Sequence, residues 1–248
     1  MSEAVSMTDA APRRFVILAA RRSGSNLLCS LLGSHPEVRC HHELFNPKGI
    51  FTTLEERDAA DAPQAIKARD RDPLGFLDRV WADTRQARAI GFKMTPDQAP
   101  GVLAHVLADP GIAKIVLRRR NALRRLVSER IADATGRWEA YDDAPPLARP
   151  RVHVDASELA EHAARVDAFH AGIEAALRRS GQSSLSLRYE FLFDEDEQAR
   201  LFECLGLSPH PLRTRSVHQN PEPLDQLIAN AADLRRSLAG TPLAHVFD

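Results

Sequence analysis

The chain has 248 residues, 44% of them hydrophobic and 27% charged, which is enough apolar material for one sizeable core. Its 33 lysines and arginines face 34 aspartates and glutamates, a formal net charge of −1, so there is no global basic field of the kind that marks a nucleic-acid binder. No apolar run approaches the roughly 18 residues of a membrane span, residues 1–13 have no secretory core, and the cysteines are three and unpaired by motif (Cys29, Cys40 and Cys204). The expectation is a cytoplasmic protein with reduced thiols, no integral membrane segment, a flexible tail at 1–13 and a single domain at 14–248.

Residues 14–47 read RFVILAARRSGSNLLCSLLGSHPEVRCHHELFNP. The apolar run 15–20 predicts a buried strand, and Leu27, Leu28, Leu31 and Leu32 predict an apolar-periodic helix. Between them lies a small, basic, hydroxyl-rich turn: Arg21, Arg22, Ser23, Gly24, Ser25 and Asn26. A helix N-terminus offers unpaired N–H groups and the positive end of its dipole, so a strand, cationic turn and helix in this order can hold an anion. Gly24 would let the backbone approach a ligand closely. Ser23, Ser25 and Asn26 add short donors, and Arg22 adds a charged fork of donors. The same composition also suits a tight turn closed by a Ser or Asn cap. The pattern GxxxxGK[ST] is absent, which weighs against a nucleoside-triphosphatase loop.

Residues 37–41 predict a short second strand, followed by His41, His42 and Glu43. A helix is expected at 73–86, with Pro73 near its start and Phe76, Leu77, Val80 and Trp81 on one face, Trp81 as a core residue. Residues 89–94 predict a third strand with Lys93 at its carboxyl end, and 100–107 a short helix. Residues 113–117 predict a fourth strand that runs directly into Arg118, Arg119, Arg120 and Asn121, with a helix at 122–133. Residues 135–151, with Pro145, Pro146 and Pro150, read as a loop or lid carrying Trp138 and Tyr141. A long helix to about 179, a strand at 184–189, a helix at 194–205 ended by Gly206 and a last helix at 223–239 complete the chain. Strand–helix alternation of this kind predicts an α/β fold: a central parallel sheet flanked by helices, with ligands at the carboxyl ends of the strands.

Two segments taken together resemble the sulfotransferase family that uses 3′-phosphoadenosine 5′-phosphosulfate (PAPS), in its bacterial branch acting on carbohydrates and small molecules. The first is the turn 21–26, similar to that family's 5′-phosphosulfate loop. The second is a strand ending in Arg120-Asn121, with Val127 and Ser128 seven and eight residues after the Arg, similar to its 3′-phosphate motif. Weaker similarity runs through Gly91-Phe92-Lys93 and the tail His218-Gln219-Asn220-Pro221.

The resemblance implies a P-loop-like sulfotransferase fold that moves a sulfuryl group from PAPS to a hydroxyl, on a carbohydrate or glycolipid, and releases adenosine 3′,5′-bisphosphate without a metal. It implies that Arg21, Arg22, Ser23, Gly24, Ser25 and Asn26 hold the phosphosulfate, and that Arg120 and Ser128 hold the 3′-phosphate. Arg215 and His218, with Arg213, are the nearest substitutes for the family's C-terminal closing loop. Arg22 stands where animal-type members carry Lys, so its part in catalysis is electrostatic. A neutral hydroxyl is a weak nucleophile, and related bacterial members use a Glu in this region, which makes Glu43 the expected base with His41 or His42 next in line. Strand alternation would let His41 and Glu43 converge, although purely structural roles for both histidines stay open. Lys93 is expected to stabilise charge on the transferring sulfuryl oxygens, to bind acceptor, or to end a strand in solvent. A small-molecule or carbohydrate acceptor is the expected partner, nucleic acid is not, and oligomeric state is left open, a homo-oligomer included. A non-catalytic nucleotide-binding scaffold of the same fold is a rival reading, and a nucleotide-dependent kinase a weaker one.

Overall fold

The computed structural model describes residues 11–59, 63–142 and 150–247. Five strands, β1 (Arg13–Ala19), β2 (Val38–Cys40), β3 (Ala89–Met94), β4 (Ile112–Arg118) and β5 (Leu185–Arg188), form one sheet in the order β2-β3-β1-β4-β5. Every pairing is parallel, with Phe15 opposite both Gly91 and Ala113. The helices between and after them are α1 (Ser25–Gly33), α2 (Pro63–Arg71), α3 (Pro73–Ala82), α4 (Pro100–Ala108), α5 (Ala122–Thr135), α6 (Ala156–Arg179), α7 (Glu195–Leu205), α8 (Leu224–Leu227) and α9 (Ala231–Leu238).

The continuous apolar runs of β1, β3 and β4 follow from burial on both faces. Phe15, Ile17 and Ala19 of β1 pack on Leu28, Leu31 and Leu32 of α1 and on Leu201, Phe202 and Leu205 of α7. Val16 and Leu18 point the other way, toward Leu77 and Trp81 of α3, Val102 and Val106 of α4, and Ile173 and Leu177 of α6. Trp81 is therefore core, as its helical spacing implied. A third apolar cluster joins α5, the start of α6, α8 and α9.

This topology positions the site. The chain leaves β1 through α1 toward β2 on one side of the sheet, and leaves β4 through α5 toward β5 on the other. Because β1 and β4 are neighbours, their departing turns open a crevice at their carboxyl ends, the place where open parallel sheets take ligands.

Three elements differ from the sequence reading. The helix expected at 73–86 stops at Ala82, because Arg85 and Gln86 take positive φ (46° and 68°) in the turn that feeds β3. The last helix is broken rather than continuous over 223–239. Ile228 is extended and bridges in parallel to Val152, and the Asn230 side chain accepts from Val154 N–H and donates to Val154 O. These tertiary bonds replace the helical ones that local periodicity favoured. Helix α2 was not expected at all, nor were the 3-10 turns at Leu54–Ala59 and Ala244–Phe247. Of the tail, residues 1–10 lie outside the described residues, and the backbone is already in the sheet at Arg13; Pro145 and Pro146 also lie outside them. Among the described residues no helix is long and apolar enough to cross a membrane.

Candidate active site

The turn after β1 is wound tightly, with Arg22 at φ 59° and Gly24 at φ 89°. Gly24 occupies the N-cap position of α1 and gives no side-chain cap, and neither Ser25 nor Asn26 supplies one. Their side chains turn instead to Lys93: its Nζ donates to Asn26 Oδ1 and, at 3.4 Å, to Ser25 Oγ. The plain capped-turn reading thus fails here, and the first amides of α1 face the crevice without a side-chain acceptor. Ser23 Oγ is buried without a hydrogen-bond partner. A Cβ at residue 24 would run into the ring of Tyr189, so the glycine keeps the turn in contact with that ring.

The crevice is a cavity of about 520 Å³, within the range of small-molecule sites. Arg21, Arg22, Gly24, Ser25, Asn26, Glu43, Lys93, Ser128 and His218 all line it. Arg22 is its central strut. Its Nε donates to Ser128 Oγ at 2.8 Å, its Nη2 to Gln219 Oε1 at 3.1 Å, and its Nη1 to the Trp138 carbonyl. Burial, and then the charge of Arg119, pull its guanidinium down to about 10, so it stays cationic at neutral pH. Ser128 Oγ also accepts from Asn220 Nδ2 at 3.1 Å. With two N–H groups on its oxygen, the Ser128 hydroxyl proton is left to donate elsewhere.

Three guanidinium groups on the cavity wall, those of Arg22, Arg119 and Arg124, have no carboxylate within ion-pair range among the described residues. Arg119 donates to Arg22 O at 3.1 Å and stacks 4.3 Å from the Tyr189 ring centre. Arg124 donates to Glu222 O at 3.1 Å. Arg21, by contrast, pairs with Asp97 at 3.1 Å and lies over Trp138.

At the other side of the cavity Glu43 accepts from Lys93 Nζ at 2.6 Å, Gln98 Nε2 at 2.6 Å and Asn46 Nδ2 at 2.6 Å. Burial pushes this carboxyl up, but the Lys93 charge and the hydrogen bonds from Lys93, Asn46 and Gln98 together outweigh it and hold it below the usual carboxylate value. The loop carrying Glu43 is stapled from behind by α2: buried Arg69 spreads Nη1 over the carbonyls of Leu44, Asn46 and Gly49 at 2.8–2.9 Å.

Not every expected residue arrives. Strand alternation ends at Cys40, so His41 does not converge with Glu43. His41 is buried beside Arg39, whose Nε lies 3.3 Å from its Nε2, and burial followed by the Arg39 charge lowers it to about 4. His42 comes closer, with Nδ1 3.4 Å from Asn26 Oδ1, but does not line the cavity. Arg120 is exposed and off the cavity wall, its backbone N–H bonded to Glu190 at 3.0 Å, while Arg119 and Arg124 stand on the wall. Arg215 pairs with Asp142 at 3.1 Å and faces a second hollow behind α1. Tyr141 bridges to Ser216, and Trp138 lines the cavity. Among the described residues no group of three or more His, Cys, Asp or Glu side chains is gathered to hold a metal ion. Sequence reasoning missed Gln98, Asn46, Arg119 and Arg69; only the tail His218-Gln219-Asn220-Pro221 signalled the contacts of Gln219 and Asn220.

No protein-family model matches the chain. It is 28% identical to Nodulation protein H of Rhizobium meliloti over 249 aligned positions, covering 96% of each protein. The Nodulation protein H of Rhizobium tropici is likewise 28% identical, over 96% of this chain and 94% of that protein. Among solved structures, a sulfotransferase from Alicyclobacillus acidocaldarius superposes with a TM-score of 0.46 at 18% identity, over 92% of this chain and 90% of that one. A sulfotransferase domain from the curacin biosynthetic pathway gives 0.44 at 18%, over 81% and 76%. The loop and the Val-Ser helix that resembled the sulfotransferases in the sequence meet across one crevice of a parallel sheet, in a chain that aligns nearly end to end with these Nodulation protein H sequences.

Proposed function

We propose that this protein is a sulfotransferase, which moves the sulfuryl group of PAPS to a hydroxyl of a carbohydrate or other small acceptor and releases adenosine 3′,5′-bisphosphate. The observation that carries the reading is that a single cavity holds two separate cationic, hydroxyl-bearing corners: the turn 21–26 with Lys93, and Ser128 with Arg119 and Arg124. A nucleotide phosphorylated at both ends needs two such corners, and Arg22 ties them together through Ser128. PAPS supplies a sulfuryl group already attached to a stable leaving phosphate. The acceptor oxygen bonds to sulfur, the bond from sulfur to the 5′-phosphate oxygen breaks, and Glu43 takes the acceptor's proton. The uncapped amides of α1, Arg22 and Lys93 would offset the charge left on the phosphate.

Thermal stability reads this directly. Adenosine 3′,5′-bisphosphate at about 100 times its dissociation constant should stabilise the fold by about 2.7 kcal/mol, with ATP at the same concentration giving much less. Equal stabilisation by ATP would turn the reading toward a general nucleotide protein, and binding without transfer to any acceptor toward a scaffold. The same titration separates the arginines. Arg119→Ala and Arg124→Ala should each weaken adenosine 3′,5′-bisphosphate by about tenfold or more, and Arg120→Ala by much less. A dominant loss at Arg120 would return the 3′-phosphate to the position that the motif spacing favours.

A further inference from the structure

Gln98 sits in the turn between β3 and α4 and is 3% exposed. Its side-chain carbonyl accepts from Thr95 N–H at 3.4 Å, and its own N–H donates to Thr95 O at 3.2 Å. That pairing fixes which way the amide faces: the carbonyl is held by the turn, so the amide nitrogen must point at Glu43, where it donates to Oε2 at 2.6 Å. The next residue, Ala99, is held at φ 32°, an unusual backbone for a residue with a side chain. Asn46 donates to the same Oε2 at 2.6 Å. A carboxylate oxygen has two in-plane lone pairs, so Oε2 is full. Oε1 accepts one bond, from Lys93, and keeps one lone pair. Lys93 has three N–H groups, and they go to Glu43, Asn26 and Ser25. Among the described residues it is the charged group that pairs with Glu43, with Lys48 lining the same cavity.

Taking Glu43 as the base of the proposed reaction, we infer that Gln98 is a positioning residue: by filling Oε2 it fixes the carboxylate's rotation and leaves Oε1 as the oxygen that receives the acceptor's proton. The geometry separates this role from turn closure. The turn uses the Gln98 carbonyl and backbone, whereas Glu43 uses only the amide nitrogen. Gln98→Glu keeps an acceptor for Thr95 N–H and replaces the donor facing Glu43 by a carboxylate oxygen. Gln98→Met keeps length and removes both polar groups.

The test is a carboxyl-carbon NMR titration of Glu43 in the full chain, wild type against both variants. Alongside it run thermal shifts with adenosine 3′,5′-bisphosphate and turnover of labelled PAPS with a panel of mono- and oligosaccharides. The Glu43 titration should move to higher pH in both variants and turnover should fall about tenfold, with the product nucleotide's affinity kept within about twofold. If either folded variant leaves the titration of Glu43 in place, the inference is overturned, whether or not turnover falls, because a purely structural role would slow the enzyme without moving that carboxyl. Glu43→Gln distinguishes the underlying reading: normal turnover there removes the base assignment itself, independently of what the titration shows for Gln98.

Discussion

Replacing Glu43 by glutamine is expected to lower turnover by about 10²- to 10⁴-fold, the usual worth of a positioned base, and to leave affinity for adenosine 3′,5′-bisphosphate nearly unchanged. The argument rests on separation within the cavity. Glu43 bonds to Lys93, Gln98 and Asn46, whereas the guanidinium groups of Arg22, Arg119 and Arg124 have partners of their own elsewhere on the wall. Glutamine preserves the shape of the side chain, and its carbonyl can still accept from Lys93. It cannot take a proton. Its amide would, however, then face the amide donors of both Asn46 and Gln98, so a loss of stability should accompany the kinetic effect.

The pH dependence follows with its sign. The folded-state carboxyl is held below its ordinary value: burial opposes this, and Lys93 with the three hydrogen bonds outweighs it. The group's stabilising contribution is therefore present above the unfolded carboxyl's value and is lost as pH falls through the lower, folded value. The base-competent carboxylate persists over the same range, so the acid limb of turnover should lie below pH 4.5, the reference carboxylate value. That limb should be absent in Glu43→Gln. A wild-type limb near neutrality would point instead to a histidine. His41 does not fit that behaviour in place: it is lowered to about 4 by burial and Arg39, and it does not line the cavity.

How much of this was legible depends on what each element answers to. Strands buried on both faces must be apolar throughout, so β1, β3 and β4 stood out as runs, and Ala89–Met94 was bounded as the structure has it. Helix α2 was invisible because its sequence, PQAIKARDR, has no apolar stripe; it is held in part by Arg69 reaching three loop carbonyls. The break at Ile228 depends on Val152, far away in the chain, and local periodicity cannot register such a partner. The site divides in the same way. The turn 21–26 and Ser128 stood out because small, cationic and hydroxyl residues at a strand–helix junction suit an anion, and the fold brings residues of that turn and Ser128 to one cavity. The choice between Arg119 and Arg120 was not, since it turns on one residue of register where β4 ends. Glu43 could be proposed from its neighbourhood, but Gln98 is one glutamine in a turn, and its contact with the carboxylate exists only once the chain has folded.

The second large effect is expected from the smallest change, Gly24→Ala. Two costs coincide at this position. At φ 89° a residue with a Cβ is strained by about 1–3 kcal/mol. The new methyl would also overlap the Tyr189 ring, which is already packed against the Arg119 guanidinium 4.3 Å from the ring centre and is not free to retreat without disturbing it. Relief therefore comes from moving the turn, and moving the turn displaces Arg22 from Ser128 and Gln219 and re-aims the open amides of α1. Both anion corners lose alignment from a single methyl. Binding of adenosine 3′,5′-bisphosphate should fall by about 100-fold or more, and stability by about 2–4 kcal/mol in urea unfolding. The double variant Gly24→Ala with Tyr189→Ala separates the causes. It removes the overlap and leaves the backbone strain, so it should regain part of the stability. Binding should recover far less, since Tyr189 is also the platform for Arg119. Full binding by the single variant would show that the turn does not grip the nucleotide, and that the anion corner at residues 21–26 has another purpose.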